Sequence, residues 1–166
     1  MSKNTKIIVI GCPGSGKTTF SEKLQKVSGL PLFYLDAIWH KPDRTHISRE
    51  EFDIRLSEIL ARECWVVDGN YSRTMEWRIR ECDTVFVFDL PVCECIRGAE
   101  ARVGVVRPDM PWAESSLDDS FRQHIEEFAT KGLPGIYALI DKYADEKRVV
   151  IFKSREAADS FVSEQN

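Results

Sequence analysis

Apolar residues in this chain gather into five short continuous runs, separated by longer stretches whose apolar positions recur every three or four residues. The runs cover residues 6–10, 32–35, 64–67, 84–88 and 149–152, and the first four are followed at once by Gly11, Asp36, Asp68 and Asp89. Short apolar runs bounded by turn formers read as buried strands. The intervening pattern is helical. Phe20, Leu24 and Val27 share a face of a helix that starts near Lys17, and Ser28 with Gly29 closes it ahead of Pro31. Ser48 and Glu51 form a capping box before Phe52, Leu56, Ile59 and Leu60, which predicts a helix running to about Arg62. A short helix is expected over 74–80 and another over 92–102. Leu117, Phe121, Ile125 and Phe128 form a further stripe, capped by Ser115 and Asp118 and ended by Gly132. Residues 135–144 predict one more helix, and Ser154 caps the last. Residues 39–47 and 103–112 have the Pro, Gly and polar content of loops.

Strands alternating with helices predict an α/β architecture, a parallel sheet covered by helices on both faces. The chain's 166 residues suffice for one such domain with a sizeable core and are too few for two ordinary ones. Residues 1–166 are therefore expected to form a single unit.

The first strand leads directly into Gly11-Cys12-Pro13-Gly14-Ser15-Gly16-Lys17-Thr18, a complete G-x-x-x-x-G-K-[ST] sequence in its proper strand-to-helix setting. The chemistry of that spacing is specific. Gly11, Gly14 and Gly16 let the backbone curl so that several N–H groups face one anion. The helix opening near Gly16 adds its unpaired first-turn donors and the positive end of its dipole. Lys17 is placed to reach the β- and γ-phosphates of a nucleoside triphosphate, and the Thr18 hydroxyl to take a Mg²⁺ position. Pro13, Ser15 and Thr19 complete the expected ATP-binding set. The bland alternative, a glycine-rich turn with an incidental lysine, needs all these features to coincide.

Net charge is −4, which argues against a duplex-DNA-binding surface. There is no stretch apolar and long enough to span a bilayer and no apolar signal core, so a cytoplasmic protein is expected. The five cysteines, Cys12, Cys64, Cys82, Cys93 and Cys95, include no CxxC pair and read as reduced, mostly buried thiols. The Cys93–Cys95 spacing lacks a second ligand pair, so a structural role is preferred over zinc.

In open parallel sheets, ligands bind beyond the carboxyl ends of the strands. Asp36, Asp68 and Asp89 all follow strands, which allows the three carboxylates to share one crevice with the phosphate loop, although Asp is also a common turn former.

The chain resembles the nucleoside monophosphate kinase superfamily, and within it the bacterial DNA topology modulation group of adenylate-kinase-like P-loop proteins. The resemblance rests on the phosphate loop, Leu35-Asp36 with Trp39, Trp65-Val66-Val67-Asp68-Gly69-Asn70-Tyr71-Ser72-Arg73, Phe88-Asp89-Leu90-Pro91, Arg107-Pro108-Asp109-Met110 and Lys153-Ser154-Arg155. It implies a three-layer fold with strand order 2-3-1-4-5, an acceptor-binding helical segment at about 37–63 and a short lid at about 97–115. It implies ATP and Mg²⁺ as cofactors, with Asp68 and Thr18 at the metal. Asp36 resembles the acid that orients or deprotonates an acceptor hydroxyl, with a turn role as the alternative. Arg73 occupies the place of an arginine that clamps an acceptor phosphate, but with one residue more in the gap after Asp68-Gly69. Arg97, Arg102 and Arg107 resemble lid arginines that stabilise the transferring phosphoryl group, with solvation of an exposed helix face as the alternative for Arg97 and Arg102. Arg155 belongs to the loop expected to cup the adenine, and His40 and Asn70 join Asp36 and Arg73 as acceptor contacts. Arg78 reads as a solvated helix charge. Trp39, Trp77 and Trp112 read as packing or as walls of the acceptor site.

The function that follows is phosphoryl transfer from ATP to a nucleotide or other small-molecule acceptor. Two alternatives stay open: a hydroxyl kinase of the shikimate or gluconate type, and a nucleotide-binding regulatory protein without an acceptor.

Overall fold

A computed structural model describes residues 5–165. Five parallel strands, β1 (Lys6–Gly11), β2 (Leu32–Tyr34), β3 (Trp65–Asp68), β4 (Thr84–Phe88) and β5 (Arg148–Phe152), form one sheet in the order β2-β3-β1-β4-β5. β1 is central, with Ile8 opposite Val67 on one side and Val85 on the other. Ile7, Ile8, Val9, Ile10, Val85, Phe86 and Val87 have no exposed surface. Burial on both faces is why these runs are continuous rather than alternating. Each such side chain contributes roughly 1.5–3 kcal/mol of transfer free energy.

Around the sheet lie α1 (Lys17–Ser28), α2 (Leu35–Trp39), α3 (Arg49–Leu60), α4 (Met75–Glu81), α5 (Val92–Ala101), α6 (Asp119–Glu127), α7 (Leu133–Lys142) and α8 (Arg155–Ser163). α1 packs against α8, where the Phe20 ring meets Phe86, Phe88, Phe152 and Phe161 at centroid distances of 5.0–6.4 Å. α4 packs against β1 and α7. Among the described residues no helix is long and apolar enough to cross a membrane.

Several local expectations change. Leu35 leaves the second strand and opens α2, so Asp36 lies in the first turn of a helix and Trp39, expected in a loop, is the last residue of that helix. Gly132 does not end the helix after Phe128. Its φ is −70°, and a π-helical turn (Phe128–Gly132) carries α6 into α7. Glycine is needed there for space, because a Cβ would lie 2.9 Å from the Phe128 ring. Asp118 alone caps α6, accepting from the Phe121 N–H at 2.8 Å. The α3 cap is as expected, Ser48 Oγ accepting from the Glu51 N–H at 3.1 Å.

Candidate functional site

The phosphate loop hangs between the central strand and α1, and three glycines with φ of 147°, 81° and 96° at Gly11, Gly14 and Gly16 shape it. Gly16 precedes α1 in the left-handed region, and no side chain caps the helix, so its first-turn donors are left for an anion. Ser15 Oγ is buried beside them without a partner. The loop is held rigidly from three directions. Asn70 Oδ1 accepts from the Gly11 N–H at 3.0 Å while its Nδ2 donates to the Gly11 carbonyl at 2.8 Å. α5 presses against it so closely that a Cβ on Gly98 would stand 1.9 Å from the Gly14 carbonyl oxygen. Arg155 Nη2 donates to that same carbonyl and to the Glu94 carbonyl, each at 2.9 Å.

Asn70 owes its position to Arg78. This side chain has no exposed surface and donates to the carbonyls of Gly69 at 2.8 Å, Tyr71 at 3.1 Å and Asn70. The solvated charge read from the sequence is instead a buried clamp on the turn after β3. Burial pushes its guanidinium down to about 10. Tyr71, with φ of 41°, turns its ring against Phe52 and donates its hydroxyl to Asp36 Oδ1 at 2.7 Å. Burial, then the Asp36 charge, raise the Tyr71 phenol well above its ordinary value, so it stays a donor.

Lys17, Asp36, His40, Asn70, Tyr71, Arg102, Arg107 and Trp112 border a cleft of about 950 Å³ that opens in front of the phosphate loop. Much of its remaining wall is apolar, from Met75, Phe121, Phe128, Ile136 and Leu139. His40 stands edge-on to Trp112 with ring centroids 5.3 Å apart. Burial, then the like charge of Arg107, hold Arg102 below the ordinary guanidinium range, while Asp109 and Asp36 pull it up.

Behind Lys17 a void of about 10 Å³ is lined by Thr18, Tyr34, Asp36, Asp68 and Asp109. That is about the room one water-sized sphere needs. Asp68 is 4% exposed and its Oδ2 has no partner, and Asp109 Oδ1 is likewise buried and unpartnered. Desolvation raises the Asp68 carboxyl to about 6, with the Lys17 charge and the Thr18 hydroxyl opposing and Asp109 and Asp36 adding to the rise. Orphaned carboxylate oxygens beside a threonine hydroxyl and a phosphate loop are a donor set of the hard-oxygen kind that fits Mg²⁺. Among the described residues no three acidic, thiol or imidazole side chains are grouped to hold a metal ion by themselves, so water and phosphate would have to supply most of the positions.

Other residues singled out in the sequence lie elsewhere. Arg73 turns outward and grips Asp53 of α3 with both guanidinium nitrogens, at 2.9 and 2.6 Å. The side chain of Arg97 is 68% exposed and pairs with Glu94 at 3.1 Å. Asp89 does not join Asp36 and Asp68. Its carboxylate receives the Tyr137 hydroxyl at 2.6 Å and pairs with Lys153. Trp39 stacks on His46 at 4.4 Å. The thiols of Cys12, Cys82 and Cys95 are buried, that of Cys93 is exposed, and all five cysteines are free. The sequence reading missed the holding roles of Arg78 and Tyr71 and gave Asp109 no role, though all three lie in or beside the segments that carried the resemblance.

A 2-3-1-4-5 parallel sheet whose central strand runs through a glycine loop into a helix defines the P-loop fold in its adenylate-kinase-like form. No family model matches this chain, nor does any curated protein. Solved structures match it in fold. A shikimate kinase from Bacteroides thetaiotaomicron superposes with a TM-score of 0.59 over 96% of this chain and 95% of its own, at 17% identity. A gluconokinase from Sinorhizobium meliloti 1021 gives 0.60 over 99% and 91%, at 16% identity. A shikimate kinase from Acinetobacter baumannii, solved in complex with shikimate, gives 0.63 over 98% and 90%, at 14% identity. At these identities the likeness is one of fold.

Proposed function

We propose that this protein is a cytoplasmic, ATP- and Mg²⁺-dependent phosphotransferase of the nucleoside monophosphate kinase superfamily, in its topology modulation group, acting on a small-molecule acceptor. The observation that carries this reading is that Lys17 of the phosphate loop, Asp36 and Arg102 border one cleft. A nucleotide-binding switch has no need of an acceptor-sized chamber in front of its phosphate loop.

In this reading the loop amides and Lys17 grip the β- and γ-phosphates. Thr18 and Asp68 would hold Mg²⁺, which neutralises charge on the phosphate oxygens. The acceptor oxygen attacks the γ-phosphorus, the bond to the β–γ bridging oxygen breaks, and the acceptor's proton passes to Asp36. Tyr71 fixes Asp36 for that task by occupying Oδ1. Arg102 supplies fixed positive charge to the transferring group, with Arg107 behind it. Residues 37–63 then serve the acceptor, and the stretch from 97 to 115 acts as the lid, excluding water. Arg97, exposed on α5, has no part in the closed arrangement.

One observation favours a hydroxyl over a phosphate acceptor: Asp36 borders the cleft, whereas Arg73, the expected phosphate clamp, is committed to Asp53 outside it. The test is a coupled ADP-release screen of the purified protein across nucleoside monophosphates, nucleosides and small hydroxylated metabolites. Acceptor-stimulated release that disappears in Lys17→Ala supports the kinase. Release that survives Asp36→Ala removes the hydroxyl reading, and no stimulation by any acceptor leaves the regulatory alternative in its place.

A further inference from the structure

The arm between α5 and α6 carries one acidic side chain that behaves unlike its neighbours. Val105 and Val106 are 47% and 85% exposed and Pro108 is exposed, yet Asp109 between them and α6 is 5% exposed. It is turned inward, to the void that Lys17, Thr18, Asp36 and Asp68 line. Arg107 Nη1 lies 3.4 Å from Asp109 Oδ2 without hydrogen-bonding geometry, and Oδ1 has no partner. Asp68 lines the same void, and its Oδ2 is likewise buried without a partner.

A buried, unpartnered carboxylate oxygen is costly, and two at one void more so. The local charge makes the point sharper. Asp36, Asp68 and Asp109 stand about a void whose one lining cation among the described residues is Lys17, and Lys17 is needed by the phosphates. Arg107 answers one oxygen of Asp109 at most. A small divalent cation in that void satisfies both orphaned oxygens at once.

We infer that Asp109 is a second acidic partner of the cation beside Asp68, brought to it by the arm, so that cation binding and the inward position of residues 102–118 stabilise each other. The inference rests on the cation site proposed above and adds to it a ligand group from outside the loop and β3. Linkage makes the coupling reciprocal: whatever Asp109 adds to cation affinity, the cation adds to the stability of the closed arm. Mg²⁺ suits such a site because it takes one or two carboxylates and fills its other positions with water and phosphate. The arm thereby ties water exclusion to the presence of the metal.

The test uses the full chain and Mn²⁺ alone as probe, read by electron paramagnetic resonance, with amide hydrogen exchange of residues 102–118 measured with and without Mg²⁺. Wild-type protein should bind Mn²⁺ at one site and gain protection in the arm when Mg²⁺ is added. Asp109→Asn should weaken Mn²⁺ binding by about tenfold or more and lose the Mg²⁺-dependent protection. Arg107→Ala should keep both, which separates the cation from the ion pair. Wild-type affinity and protection in Asp109→Asn overturn the inference while leaving the kinase reading intact. Failure of wild-type protein to bind nucleotide with Mg²⁺ present overturns the kinase reading instead, and failure to bind Mn²⁺ at all overturns the cation site on which this inference stands.

Discussion

Asn70 grips Gly11 by both ends of its carboxamide, accepting from the N–H at 3.0 Å and donating to the carbonyl at 2.8 Å. The link joins the turn after β3 to the first residue of the phosphate loop, across 59 residues of sequence. It works like one rung of a ladder supplied by a side chain, and it replaces strand pairing where β3 has ended, while Gly11 still pairs with Phe88 of β4 on its other side. Asn70→Ala should cost about 1–3 kcal/mol of stability, since two backbone groups lose their partners. It should also weaken ATP binding, because the loop's amides are no longer held in one arrangement. Asn70→Asp keeps the acceptor but sets a carboxylate against a carbonyl, so it should not rescue. Calorimetric titration of ATP and thermal melting of both variants decide this, and wild-type affinity in both would remove Asn70 from the loop's support.

Gly98 makes a prediction whose sign opposes propensity. In an exposed helix interior, Gly→Ala is stabilising by up to about 1 kcal/mol. At Gly98 the added Cβ meets the Gly14 carbonyl oxygen at 1.9 Å and Arg155 Nη2 at 2.5 Å, and one of those atoms is backbone of the phosphate loop. Gly98→Ala should therefore lower the melting temperature and displace the loop enough to cut ATP affinity by more than tenfold. A variant more stable than wild type would show that α5 and the loop have slack between them.

Arg78 and Arg73 lie five residues apart and invert the expectations drawn from their sequence positions. Arg78 is fully buried with three backbone carbonyls as partners, so Arg78→Met leaves those acceptors unpaired in a dry site and should destabilise by about 3–5 kcal/mol. Arg78→Lys cannot fork to three acceptors and should recover little. Arg73→Ala removes an exposed pair with Asp53 and should cost at most about 1 kcal/mol. It should also leave the KM of any acceptor unchanged, as the side chain does not border the cleft. Chemical denaturation of the three variants orders them, and a larger loss from Arg73→Ala than from Arg78→Met would refute the assignment.

These cases mark where the sequence is legible. The phosphate loop and the strands can be read because each residue acts through its own local geometry: glycines at positive φ, a lysine beside them, apolar runs with no polar face; the order of the strands follows only from the resemblance. The Ser48 cap and the Gly29 helix end are local in the same sense, with Gly29 at a φ of 72°. Gly132 misleads because its use is not conformational; it makes room for the Phe128 ring, which no pattern along the chain announces. Arg78 misleads because its three acceptors belong to a turn seven to nine residues earlier, whose carbonyls are oriented only once β3 has joined the sheet. Leu35 continues an apolar run yet starts α2, since the run's burial is satisfied equally by a helix end. Asp109 sits in a stretch of loop composition, and only the packing of the arm onto the strand ends brings it to Asp68.

Asp68 yields the pH prediction. Its carboxyl, ordinarily ionising near 3.8, is raised to about 6 in the folded protein by desolvation first and by Asp109 and Asp36 afterwards. A raised carboxyl means that the folded state holds the proton more tightly than the unfolded chain. The stabilisation from protonation is thus complete below about pH 4 and is lost as the pH rises through about 6. Above that the fold carries an ionised group in a dry site, at a cost on the order of 3 kcal/mol. Asp68→Asn removes the charge and keeps the shape. With a chelator present to strip divalent cations, the variant should melt at a higher temperature than wild type at pH 8, by a smaller margin at pH 6, and at nearly the same temperature at pH 4. Adding Mg²⁺ at pH 8 should stabilise wild type and not the variant, narrowing or reversing the gap. A difference in melting temperature that stays constant from pH 4 to pH 8 would mean that Asp68 ionises as freely in the folded protein as in the unfolded chain.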